Sequence, residues 1–256
     1  MRCFCLVCVL ILFAVALSAN DGSNIETDSL QTATPVVLKE GNRVNFNYII
    51  PAVFISYGAL AQVVNPLQQF DSYIDNKVSR HFNRRRFDDY IQYAPLVAAY
   101  SIDMMGIKSK HNFRDKTFVV VASHIIMGGS VQAVKMATGV ERPDGGSLHS
   151  FPSGHTAMAF TGAHILFKEY RERSPWIGIA GYATATTVGT MRVLNRRHWV
   201  SDVVAGAGIG ILSAEIGYLL LPVFHRIIGA EETKSGFVVA PTIGNNQYGL
   251  GLVYMF

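Results

Sequence analysis

Charged residues are scarce in this sequence, and their scarcity narrows the class of protein. Asp, Glu, Lys and Arg make up 16% of the 256 residues, whereas soluble domains contain about 25%. Apolar residues account for 50% of the chain, and such a composition favours a protein in contact with a membrane. The net charge of +4 suits anionic partners. However, the chain has no long run of Lys and Arg, so we do not expect it to bind nucleic acid.

Cysteine is equally scarce, since Cys3, Cys5 and Cys8 are the only three in the chain. They lie in an apolar run that follows Arg2 and ends before the small residues Ser18 and Ala19. This order is typical of a secretory signal peptide, which we predict over residues 1–19. Its removal would leave no cysteine and would exclude disulfides, thiol catalysis and cysteine-bound zinc. The alternative is an uncleaved anchor, although the run is short for a membrane span.

Residues 20–90 are predicted to form an N-terminal linker with interfacial segments. They are polar up to residue 47, and the apolar stretch from 48 to 64 is interrupted by Pro51. Residues 80–90 combine Arg and His with aromatic residues. Two interpretations of this basic stretch stay open, a solvated helix face and a surface that binds anionic headgroups.

Residues 91–228 are predicted to be a helical core. Their apolar segments lack the strict alternation of strands and carry many small residues, as packed helices do. These segments are 91–106, 118–134, 155–167, 177–191 and 203–224. Residues 229–256 alternate apolar side chains around Gly244-Asn245-Asn246, which indicates a β-hairpin. The sequence therefore predicts an all-α helical bundle that crosses a membrane several times and ends in a short β-hairpin.

Two stretches of this core combine features that suit an anion. Lys135 and Arg142 are seven residues apart near the end of one segment, so they would share a face if the helix continues to Arg142, where Pro143 then helps to turn the chain. Ser153 is placed to cap the next helix, and Gly154 allows a ligand to approach the backbone. The N-terminus of that helix, with His155 in its first turn, is a ready site for a phosphate group. Taken alone, the first stretch could simply be a basic helix end that complements the helix dipole, and the second could be ordinary helix capping.

The third stretch, residues 192–202, places a histidine next to a carboxylate. His198 and Asp202 are four residues apart and would share a helix face, so Asp202 could hold one imidazole nitrogen. The other nitrogen would then be free to attack phosphorus. The two intervening helices, each of roughly 24 Å, would return Arg192 to the level of His155. The three stretches are therefore expected to meet at one end of the bundle.

Together these residues resemble the signature of the type 2 phosphatidic acid phosphatase superfamily. The signature reads Lys, six residues, Arg-Pro; then Pro-Ser-Gly-His; then Ser-Arg, five residues, His, three residues, Asp. This sequence has Met191 where the family has its serine before the arginine. The resemblance implies a phosphohistidine on His198, supported by Asp202, with His155 protonating the leaving oxygen. The phosphate-binding residues that it implies are Lys135, Arg142, Ser153, Gly154 and Arg192.

The expected function is that of a phosphatase acting on a lipid phosphate such as lipid A, a polyprenyl diphosphate or phosphatidate. Three cations and a helix N-terminus would neutralise the phosphoryl oxygens, so no metal or other cofactor is expected. Basic loops at 108–116 and 168–173 indicate an inner-membrane protein with a periplasm-facing site. The alternatives are a soluble periplasmic acid phosphatase of broad specificity, a vanadate-dependent haloperoxidase and a non-enzymatic lipid-binding protein. The sequence does not predict an oligomeric state.

Overall fold

The computed structural model describes residues 46–77, 82–83, 85–228, 236–244 and 247–255. The chain divides into two compact units, Met1–Tyr218 and Leu219–Phe256. The predicted signal peptide, residues 1–19, and the predicted linker up to residue 45 lie outside the described residues.

All the regular elements in the described part of the first unit are helices. The helices are α1 Phe46–Ala61, α2 Asn65–Lys77, α3 Asp88–Ile91, α4 Ala94–Met104, α5 Phe113–Thr138, α6 Gly154–Tyr170, α7 Pro175–Leu194 and α8 Val200–Leu219, which ends one residue past the unit boundary. The predicted all-helical core is confirmed. The predicted N-terminal linker and interfacial segments of 20–90 contain α1 and α2, and α3 begins at their end.

Local chemistry sets the ends of the helices that carry the site. Asn112 caps α5 with its side chain, and Gly139 ends that helix in the left-handed conformation, at φ 59°. Such a residue is usually glycine because it has no Cβ to clash with the backbone. Ser153 caps α6 by accepting a hydrogen bond from a backbone N–H in its first turn, and Pro175 opens α7. Asn and Ser are preferred as helix N-caps, and Pro is preferred in the first turn of a helix, so these ends follow from the sequence.

Glycines in α8 allow it to pack directly against the backbone of α6. A Cβ at Gly206 would lie 2.5 Å from the carbonyl oxygen of Ser153, and one at Gly210 would lie 2.4 Å from that of Ala157. The close helix contact that the sequence predicts for this glycine-rich segment is therefore confirmed. A core cluster joins α1, α5, α6 and α8 through Ile55, Met127, Val131, Ala157, Ile209 and Leu212.

Two helical stretches are long and apolar enough to cross a membrane, Phe113–Thr138 and Val200–Ile227. A third candidate is the pair Asn47–Ala61 and Asn65–Lys77, which is bent by 89° and would be a broken span or a re-entrant loop. On α5, Val121 and Ile125 are 51% and 68% exposed, as lipid-facing side chains would be. The described residues thus contain two helices, or three if the bent pair is one span, that could cross a membrane, fewer than the apolar segments of the sequence.

The second unit contains α9, Leu221–Ile227, and two antiparallel strands, β1 Gly236–Gly244 and β2 Gln247–Met255. Gly236 pairs with Met255 at one end, and Gly244 pairs with Gln247 at the other. The turn at 245–246 and the side chains of the strands lie outside the described residues. The C-terminal hairpin as an appendage of the fold therefore stays a prediction.

Candidate active site

The three stretches identified in the sequence meet at one end of the helices. The Lys135 ammonium donates hydrogen bonds to the carbonyl oxygens of His149, at 2.6 Å, and Ser150, at 3.3 Å. The backbone N–H of Ser153 donates to the carbonyl oxygen of Asp202 at 3.0 Å. The end of α5 is thus hydrogen-bonded to the loop that precedes α6, and the N-cap of α6 is hydrogen-bonded to the start of α8.

His198 is almost completely buried, but it does not lie on the helix of Asp202. Because α8 begins at Val200, the predicted shared helix face is wrong. The Nδ1 atom of His198 instead lies 3.5 Å from Oδ2 of Asp202, and the two atoms do not form a hydrogen bond. The carboxylate thus faces Nδ1, and Nε2 is the nitrogen available as a nucleophile.

The Asp202 carboxylate is held in place by two other donors. Its Oδ2 accepts a hydrogen bond from the backbone N–H of Trp199 at 2.9 Å and one from the Ser150 hydroxyl at 2.5 Å. The first of these is the way in which an acidic residue in the first turn of a helix caps the preceding backbone N–H. Ser150 is fully buried and was not predicted as a site residue, because nothing in its immediate sequence distinguishes it.

The surroundings of His198 favour its neutral, nucleophilic form. Burial lowers the pKa of His198 well below its ordinary value, and the charges of Lys135, Arg192 and Arg142 lower it further. Imidazole must be unprotonated on one nitrogen to attack phosphorus. The predicted phosphate-binding cations therefore also keep His198 in its neutral form.

Arg142 reaches the site from a loop and not from a helix. The helix of Lys135 ends at Thr138, so the predicted common helix face is wrong. Arg142 is held in the loop by its backbone, whose N–H donates to the carbonyl oxygen of Ser147 at 3.0 Å. The loop therefore places its side chain independently of the helix.

Two buried guanidinium nitrogens in the site have no protein partner. Within the described part of the chain, Nε of Arg142 and Nε of Arg192 are buried and lack a hydrogen bond. A buried charged donor without an acceptor is costly, so such donors usually serve a ligand. Arginine nitrogens are also well suited to phosphoryl oxygens. These atoms are consistent with a site that binds a phosphate group.

Ser153 and Gly154 lie at the N-terminal end of α6. The Ser153 hydroxyl lies 2.9 Å from that of Thr156 and accepts its backbone N–H at 3.4 Å. This hydroxyl is thus used to cap the helix. The first N–H groups of an α-helix have no acceptor within the helix, so the start of α6 adds backbone donors to the predicted anion site.

Two carboxylates that the sequence analysis missed reach this site. Nη1 of Arg192 donates to Oδ2 of Asp88 at 2.7 Å and to Oδ1 of Asp89 at 3.3 Å. Nε2 of His155 lies 3.0 Å from the same oxygen of Asp89. The sequence interpretation of residues 80–90 rested on their basic residues. The sequence signal for this role was the pair of adjacent aspartates shortly after Arg86.

His155 experiences opposing influences from these neighbours. Burial lowers its pKa below the ordinary value, and the charge of Arg192 acts in the same direction. The hydrogen bond with Asp89 and the charges of Asp89 and Asp88 raise it. The net pKa is lowered, but less strongly than that of His198.

Among the described residues, no cluster of three or more His, Cys, Asp or Glu side chains has the arrangement of a metal site.

Comparison with known proteins connects this site to a family. Residues 116–226 match the family model of the PAP2 superfamily. Over 142 residues the chain is 42% identical to lipid A 1-phosphatase from Porphyromonas gingivalis, a match that covers 55% of this chain and 32% of that protein. The chain thus spans about a third of the length of that curated relative.

Two solved structures are also similar. Aquifex aeolicus LpxE has 23% identity and a TM-score of 0.44, covering 59% of this chain and 94% of that one. The first transmembrane PAP2 type phosphatidylglycerolphosphate phosphatase from Bacillus subtilis has 19% identity and a TM-score of 0.45, covering 73% and 100%. All the site residues predicted from the sequence lie within the matched segment 116–226, whereas Asp88 and Asp89 lie before it.

Proposed function

We propose that the protein is a phosphatase that hydrolyses a lipid phosphate monoester or diphosphate, because residues 116–226 match the family model of the PAP2 superfamily. The observation that carries this proposal is the pair of buried, unpartnered arginine nitrogens, Nε of Arg142 and Nε of Arg192, beside the neutral His198. Donors fixed in a dry site stabilise the charge that develops on phosphoryl oxygens without needing to reorganise during the reaction.

The proposed reaction has two steps. Nε2 of His198 attacks phosphorus while the bond to the leaving oxygen breaks, and His155 gives that oxygen a proton. Water then attacks the phosphohistidine with His155, now neutral, taking a proton from it, so that phosphate leaves and both histidines return to their starting forms. Asp202 stabilises the charge on His198 through Nδ1, while Lys135, Arg142 and Arg192 hold the phosphoryl oxygens.

The surroundings of the site support an amphiphilic substrate. Met136 and Leu148, next in sequence to Lys135 and His149, are 65% and 59% exposed. Phe87 and Tyr90 flank the two aspartates in sequence and are 56% and 78% exposed. Exposed apolar side chains next to cationic residues suit a phosphorylated headgroup that stays attached to a lipid. The similarity to a lipid A 1-phosphatase favours lipid A among these substrates.

The proposed location is the inner membrane with the site facing the periplasm. The loop between α4 and α5, which carries Lys108 and Lys110, and the loop between α6 and α7, which carries Arg171 and Arg173, lie at the helix ends opposite the site. Such loops usually face the cytoplasm. Release by osmotic shock without detergent would contradict this location and would favour the soluble acid phosphatase instead.

The direct test is phosphate release from lipid A, undecaprenyl diphosphate, phosphatidate and p-nitrophenyl phosphate by purified protein in detergent. We expect the lipid phosphates to be hydrolysed faster than p-nitrophenyl phosphate and His198→Ala to abolish hydrolysis of all four. A preference for p-nitrophenyl phosphate would contradict the proposed substrate class. Near-native activity of His198→Ala would contradict the proposed chemistry.

A further inference from the structure

Asp89 lies between two residues of the proposed reaction but belongs to none of the three sequence stretches. A single oxygen, Oδ1, is 3.0 Å from Nε2 of His155 and accepts a hydrogen bond from Nη1 of Arg192 at 3.3 Å. The aspartate precedes the matched segment 116–226, so the family match assigns it no role. Its side chain is 45% exposed, and it therefore forms the outer edge of the site.

The chain around Asp89 is fixed in place by its neighbours. The adjacent Asp88 is buried and accepts hydrogen bonds from Arg192, at 2.7 Å, and from the Asn195 amide, at 3.0 Å. Asn195 also exchanges hydrogen bonds with the backbone of Arg85, at 2.9 and 2.7 Å. This segment is therefore attached to the end of α7, and Asp89 meets His155 as part of a built arrangement.

We propose that Asp89 is a positioning residue for the general acid, a role that rests on the proposed function. Its carboxylate accepts the Nε2 proton of the His155 imidazolium, which leaves the Nδ1 proton to be given to the substrate. As the phosphorus–oxygen bond breaks, that proton passes to the leaving oxygen, and His155 becomes neutral with its Nε2–H still bound by Asp89. The hydrogen bond on one imidazole nitrogen thus decides which proton is transferred.

The charges around His155 determine what the loss of Asp89 should do. Arg192 and burial lower the pKa of His155, while Asp89 and Asp88 raise it. The charge of a protonated His155 in turn lowers the pKa of His198. Replacing Asp89 by asparagine removes its charge, so the pKa of His155 falls and less of the acid is protonated at a given pH.

The test compares Asp89→Asn with the wild type on phosphatidate, whose alkoxide leaves poorly, and on p-nitrophenyl phosphate, whose phenolate leaves easily. We expect kcat for phosphatidate to fall by about tenfold or more, because general acid catalysis is needed there. For p-nitrophenyl phosphate kcat should change little, and the alkaline limb of the pH profile for phosphatidate hydrolysis should move to lower pH.

A matched control is Asp144→Asn, which removes a carboxylate 3.3 Å from Arg197 without touching His155. It should leave the leaving-group dependence unchanged.

A double variant separates positioning from a general effect on folding. If Asp89 acts through His155, Asp89→Asn should cause no further loss in the His155→Ala background. Equal losses on both substrates, additive losses in the double variant, or a lower KM with unchanged kcat would each overturn the proposal. Failure of the wild type to hydrolyse any of the four substrates of the panel, or activity in His198→Ala, would instead reject the proposed function.

Discussion

The Arg196 guanidinium binds the Asp75 carboxylate through two parallel hydrogen bonds, from Nε at 2.7 Å and from Nη2 at 2.8 Å. The two residues are 121 positions apart in the chain. Arg196 has a left-handed backbone, at φ 56°, and Nη2 also donates to the carbonyl oxygen of Pro143 at 2.8 Å. Helix α2 thus holds both the loop that leads to His198 and the loop of Arg142.

The first prediction concerns this pair. Asp75→Ala should lower the free energy of unfolding by about 1–3 kcal/mol, because hydrogen bonds to charged groups contribute on that scale. It should also lower kcat, since the loop before His198 loses its attachment to α2. Thermal unfolding in detergent and lipid phosphate hydrolysis measure the two effects.

The control for Asp75→Ala is an exposed ion pair at the opposite end of the helices. Glu172→Ala removes the partner of Lys110, whose ammonium lies 2.9 Å from the carboxylate. Both side chains are largely in water, so this pair should contribute almost nothing. A loss of activity in Glu172→Ala as large as in Asp75→Ala would mean that the site does not depend specifically on Asp75.

The second prediction concerns the close contact between α8 and the start of α6. A Cβ at Gly206 would lie 2.5 Å from the carbonyl oxygen of Ser153, so Gly206→Ala must displace the backbone that leads to His155. A displacement of about 1 Å at a reacting group can lower a rate about 100-fold, and we expect a loss of that order in kcat. By contrast, Gly128→Ala introduces a Cβ with no atom within 4 Å and should leave kcat unchanged. Equal activity of the two variants would contradict this account of the packing.

The third prediction concerns the pH dependence of kcat/KM. The nucleophile His198 must be neutral, so activity is lost in acid only below its strongly lowered pKa. The acid His155 must be protonated, so activity is lost as the pH rises through its own lowered pKa. Both limits lie on the acid side of about pH 6.5, the ordinary imidazole value. The profile should therefore have its maximum in mildly acidic solution, and a maximum at alkaline pH would contradict these assignments.

The sequence predicted which residues lie close together better than the ways in which they are held. Motif spacing and helix lengths were sufficient to bring Lys135, His155 and Asp202 to one end of the helices, because both depend on local periodicity. They could not show that Gly139 ends α5 before Arg142 or that His198 precedes α8. The exact ends of helices depend on capping geometry, which sequence patterns locate only to within a few residues.

Contacts between distant parts of the chain were beyond the sequence analysis. Asp71 and Asp75 are one turn apart on α2, and they bind Ser201 and Arg196 on either side of His198. Nothing near these aspartates resembles a catalytic motif, so the segment 20–90 was assigned to a linker and interfacial segments. These aspartates reach their partners only because of the bend between α1 and α2 and the packing of α2 beside the loop that contains His198.

The central claim is that His198 becomes phosphorylated during turnover. The most direct measurement uses a lipid phosphate labelled in its phosphoryl group, rapid mixing with the purified protein and quenching in alkali, in which phosphohistidine survives. Peptide mapping then locates the label. We predict label on His198 in the wild type and none in His198→Ala. Rapid hydrolysis by the wild type with no labelled protein, or label on a different residue, would contradict the account.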